Sequence, residues 1–123
     1  MKFPRPDSDD RAYFMAVLPR DPLVSVKPMF GNEAAFVNGN MFAGLFGREL
    51  FIRLSEDDQE ELLREKGASR FAPMKGRPMR GYICVPDEWR GNQKQTSAWV
   101  ARSLAWTSAL PPKTPKTPKR PNL

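Results

Sequence analysis

The chain has 123 residues, room for a single domain, with a net charge of +6, no histidine and one cysteine. With no His and only Cys84, one chain cannot assemble a zinc site or a Ser–His or Cys–His nucleophile. No apolar run approaches the ~18 residues of a membrane span, and the N-terminus carries no apolar signal core, so the expected compartment is the cytoplasm.

The chain opens with Pro4 and Pro6 in a stretch, residues 1–7, that reads as a flexible leader. Ser8 is the expected cap of a first helix, with Asp9 and Asp10 where a helix N-terminus favours negative charge. Tyr13, Phe14, Ala16, Val17 and Leu18 give that helix an apolar face, and Pro19 and Pro22 end it. Val24 to Met29 is extended, Phe30-Gly31-Asn32 is a turn, and Ala34 to Val37 is the next strand. Asn38-Gly39 is the strongest hairpin signal, because both residues tolerate the positive φ of a tight turn. Beyond it the alternation puts Met41, Ala43 and Leu45 on one face and Phe42, Gly44 and Phe46 on the other. A turn at Gly47 leads to Leu50, Ile52 and Leu54, alternating with Phe51 and Arg53.

Ser55 then caps a second helix, with Glu56, Asp57 and Asp58 in its first turn, Leu62 and Leu63 facing inward and Gly67 past its end. A Gly-, Pro- and Arg-rich loop or hairpin from Phe71 to Gly81 leads into a strand, Tyr82 to Val85, ended by Pro86. A last helix runs from about Gln93 to Leu110 with Trp99, Val100, Leu104 and Trp106. The folded domain is thus expected over residues 8–110.

Residues 111–123 form a basic Pro/Lys/Thr tail with Lys113, Lys116, Lys119 and Arg120 and no acid, and are expected to be disordered. The remaining residues hold 16 basic and 14 acidic side chains, so the body is close to neutral. Four such cations correspond to a salt slope of about −3.6 on nucleic acid, which is weak, non-specific binding. The competing reading is a solubilising tail.

One internal segment could contact an anion or a partner. Lys75, Arg77 and Arg80, with Arg70 nearby, combine basic side chains with glycines that let a ligand approach backbone N–H groups. The alternative is a strand connection with solvated charges. Arg53, in an apolar strand, is either on a solvated face, held by a buried carboxylate, or a ligand contact. Glu56, Asp57, Asp58, Glu60 and Glu61 lack the glycine and alternating oxygen ligands of a calcium loop, and suit a first helical turn. Cys84, alternating with Tyr82, reads as a packed thiol. No catalytic residues, no metal ligands and no cofactor are expected.

Several stretches together carry a family resemblance: Lys27-Pro28-Met29-Phe30-Gly31, Phe36-Val37-Asn38-Gly39-Asn40-Met41-Phe42-Ala43-Gly44, Leu50-Phe51-Ile52-Arg53-Leu54, Phe71-Ala72-Pro73-Met74, Gly76-Arg77-Pro78-Met79 and Trp99-Val100-Ala101-Arg102. In that order they resemble the N-terminal domain family of TfoX/Sxy, the bacterial competence regulators, over roughly residues 8–112. The resemblance implies an α+β, two-layer domain, an antiparallel sheet of about five strands backed by helices, similar to secretion-chaperone-like folds. It also implies a link to transcriptional regulation of DNA uptake, known from longer members that append a C-terminal helical domain. Here the basic tail follows instead, as in a stand-alone member. The functional expectation is a non-enzymatic regulatory or protein-interaction domain with a protein partner, which includes a homodimer. The alternative is a nucleic-acid-associated protein using the tail and the Lys75–Arg80 loop.

Overall fold

A computed structural model describes residues 4–29, 31–74 and 76–112. In chain order the elements are α1 (Ser8–Val17), β1 (Val24–Met29), β2 (Asn32–Val37), β3 (Asn40–Phe46), β4 (Glu49–Arg53), α2 (Glu56–Leu63), β5 (Ser69–Arg70), β6 (Tyr82–Cys84) and α3 (Gln93–Ser108). A 3-10 turn spans Asp87–Gly91 before α3. The strands form one open antiparallel sheet in the order β1-β2-β3-β4-β6-β5. The α+β class and the antiparallel sheet are as expected. The sheet has six strands where five extended segments are readable, because the two-residue β5 exists only through its pairing with β6.

The three helices bury their apolar sides against one face of the sheet. Phe14 and Val17 of α1, Leu62 of α2, and Trp99 and Val100 of α3 pack with Leu45, Ile52 and Ile83 in the main core. α2 starts as its sequence dictates: Ser55 Oγ accepts from the Asp58 N–H at 3.3 Å, and three acids occupy the first turn. The cap of α1 is Asp7 rather than Ser8. Asp7 and Asp10 each accept from the other's N–H, a reciprocal capping box made by two aspartates.

The leader expectation is also corrected from Pro4 onward. Pro6 is buried, the Pro4 carbonyl accepts from Asn32 Nδ2 at 3.0 Å, and the Pro4 ring lies beside Gly47. Asn32 Oδ1 in turn accepts from the Gly47 N–H at 2.8 Å, so one side chain ties the N-terminal segment to the β3–β4 turn.

The Asn38-Gly39 hairpin forms as its chemistry requires, with φ of 51° and 80°. The faces of β3 do not follow simple alternation. Ala35 pairs with Ala43 but Phe36 pairs with Met41, so Phe42 is an extra residue in a β-bulge. Phe42, Ala43 and Leu45 therefore all enter the main core, while Met41 and Phe46 turn to the other face. There they join a second cluster of Phe51, Phe71, Tyr82 and Cys84, with Met79 against it. Phe51 and Phe71 stack at 3.9 Å between ring centroids. The Tyr82 hydroxyl donates to the Met41 carbonyl at 2.8 Å.

Candidate functional site

A groove of about 650 Å³ opens between α2 and the β5 side of the sheet. One wall is α2, which contributes Glu56, Gln59 and Glu60. The other is Arg70 of β5 with Met79, Arg80 and Gly81 from the segment that returns to β6. The chain reverses after Leu63 through Gly67, at φ 94°, and this reversal sets β5 beside α2. The Phe71 N–H donates to the Tyr82 carbonyl and the Met79 N–H to the Phe71 carbonyl, which anchors the second wall to the sheet edge. Gln59 Nε2 donates to the Leu54 carbonyl at 2.9 Å, fixing the start of the helical wall.

Glu56, Glu60, Arg70 and Arg80 are all exposed. Among the described residues none of the four forms an ion pair with another, although two of each sign line one groove. The acids further along α2 are engaged differently. Asp58 and Glu61 both approach Arg102 of α3, at 3.5 and 3.3 Å, and that guanidinium lies over Trp99. Among the described residues no group of His, Cys, Asp and Glu is placed to hold a metal ion.

The residues singled out in the sequence are thus only partly brought together. Arg70 and Arg80 share the groove. Arg77 sits exposed in an isolated bridge with Met74, outside the groove lining. Arg53 is half-buried, and among the described residues no carboxylate is paired with it. Its guanidinium lies 5.8 Å from the Tyr82 ring and 5.7 Å from the Trp106 ring, a cation–π clamp between β6 and α3. Lys75, Lys113, Lys116, Lys119 and Arg120 lie outside the described residues. Sequence reading missed the opposing wall: Glu56 and Glu60 are four apart on a helix and so share a face, a signal that was there, but their juxtaposition to Arg70 depends on the fold.

Cys84 is buried on the second sheet face, with Sγ 3.7 Å from a Glu49 carboxylate oxygen. Burial, reinforced by the Glu49 charge, pushes its thiol up to about 12, so it is a packed thiol and not a nucleophile. Burial likewise raises the Tyr82 hydroxyl above its ordinary value, with Arg53 opposing. Away from the groove, Arg90 pairs with Asp10 at 2.7 Å and lies over the Tyr13 ring, joining the 3-10 turn to α1. Burial acts to raise Asp10, but hydrogen bonds from the Asp7 N–H and the Arg90 guanidinium outweigh it and hold its carboxyl below the usual range.

No helix among the described residues is long and apolar enough to cross a membrane. Comparison with curated proteins gives no match. The profile of the TfoX N-terminal domain matches residues 17–106, most of the chain.

Proposed function

This chain belongs to the TfoX N-terminal domain family, and on that premise we propose that it is a non-enzymatic regulatory domain that acts by binding another protein. The observation that carries the reading is the groove between α2 and the β5 edge, where two carboxylates and two guanidinia stand unpaired with one another. Ion pairs made by such exposed groups stay partly hydrated and are individually weak, which suits reversible recognition. A nucleic-acid backbone suits the same groove less well, because Glu56 and Glu60 repel phosphate where Arg70 and Arg80 attract it. A cytoplasmic location accords with the single buried thiol.

The test is affinity capture from cell lysate, with nuclease, comparing the full chain with a variant in which Glu56, Glu60, Arg70 and Arg80 are all glutamine. Protein partners that survive nuclease and disappear with the variant support the reading. An unchanged set of partners, or recovery that vanishes with nuclease, overturns it. Sustained turnover of a substrate by the purified protein, abolished by the same variant, would replace it with an enzymatic one.

A further inference from the structure

The two walls of the groove carry opposite charge, acidic along α2 and basic along the β5 side. We infer that the groove takes an extended segment of a partner protein in which basic and acidic side chains alternate residue by residue. This inference rests on the protein-interaction reading of the same groove.

On the α2 wall the match is one of spacing as well as sign. Glu56 and Glu60 are four residues apart on α2, so their Cβ atoms stand about 6 Å apart on one helix face. In an extended chain successive side chains point to opposite sides, and every second residue recurs after about 6.7 Å. A segment lying along the groove with alternating charge therefore presents its basic residues to Glu56 and Glu60 at nearly the pitch of that wall. Its acidic residues face Arg70 and Arg80 at the same time. Met79, half-buried on the second wall, offers apolar surface to the stems of those side chains. A uniformly basic segment satisfies the α2 wall and is repelled by the arginines. A uniformly acidic one does the reverse. The volume of about 650 Å³ lies within the range of pockets that take a small ligand.

The probe is a fluorescein-labelled octapeptide of strictly alternating lysine and glutamate, titrated with the full chain at low ionic strength and read by anisotropy. Its control has the same composition in blocks, four lysines followed by four glutamates. Exposed ion pairs are individually weak, so the expected preference for the alternating peptide is about tenfold. Glu56→Gln with Glu60→Gln, and separately Arg70→Gln with Arg80→Gln, should each remove that preference while leaving the circular dichroism spectrum unchanged. Equal affinity for the two peptides overturns the inference. So does tighter binding of an all-lysine peptide, which would make basic segments such as the chain's own tail the better occupant, or of duplex DNA. If partner capture from lysate depends on the groove but the alternating peptide is not preferred, only the ligand assignment falls. If capture is indifferent to the groove, the functional reading falls with it.

Discussion

Gly44 pairs with Phe51 across β3 and β4, and the aromatic ring occupies the space that a side chain at 44 would need. A Cβ there would stand 2.7 Å from both Cε carbons of the ring and nearer still to Cζ, and Phe51 is itself stacked on Phe71 and cannot swing away. Gly44→Ala is therefore expected to cost about 2 kcal/mol in urea unfolding, a typical overpacking penalty. The same substitution in a Phe51→Leu background should cost measurably less, because the clash is with the ring; an equal cost in both backgrounds would show that the Phe51 ring is not what the new methyl group meets. Cys84, in the same cluster, is expected to resist thiol reagents at pH 8 in the folded protein and to react freely in denaturant. Its folded pKa of about 12 exceeds the ordinary 9.0, so the thiol's contribution to stability is complete below pH 9 and is lost as pH rises through 12. Rapid labelling of the native protein would contradict the burial described for it.

At the scale of elements, the β3 bulge decides which residues meet α3. Phe42, the extra residue, presents its carbonyl to Ser103 of α3, whose hydroxyl donates to it at 2.6 Å with both residues fully buried. Ser103→Ala leaves that carbonyl without its side-chain donor, and about 1–2 kcal/mol of stability should be lost with little change in m-value. An unchanged midpoint would show that the helix is positioned by Trp99 and Val100 alone. The bulge also marks where the sequence stops being legible. Alternation along β4 and the positive-φ pair at 38–39 are local properties, and both are realised in the structure. A bulge is a property of two strands together, so nothing in Met41 to Phe46 alone reveals that Phe42 joins Ala43 and Leu45 on the core side. The same holds for β5, and hence for the groove. Arg70 and Arg80 stand out as basic residues, but their acidic counterparts on α2 are explained equally well by the helix dipole until the turn through Gly67 sets the two walls face to face.

Across the whole molecule, the ends of the domain are joined by charge. Asp10 of α1 and Arg90, just before α3, form the most buried ion pair among those described, and Tyr13 adds a hydrogen bond to Thr96 at 2.9 Å. Because the Asp10 pKa lies below its ordinary 3.8, its contribution is present above about pH 4 and is lost as pH falls through the folded value. Asp10→Asn should destabilise the protein by about 2 kcal/mol at neutral pH and flatten the acid limb of its stability profile; an acid limb as steep as before would place the titration elsewhere. None of these contacts is between neighbours in sequence, which is why composition and periodicity could identify the helices but not the clasp between them. That arrangement has a consequence for biosynthesis. The strands, α1 and α2 are all translated before α3, yet α3 supplies Trp99, Val100 and the Ser103 hydrogen bond to the core. While the ribosome is still reading α3, the part of the sheet face that Trp99 and Val100 cover is bare to water, so the core is completed only after Ser108 has cleared the exit tunnel. A nascent chain stalled with α3 still inside should be cleaved by protease more readily than the released protein, with protection rising as the last helix emerges.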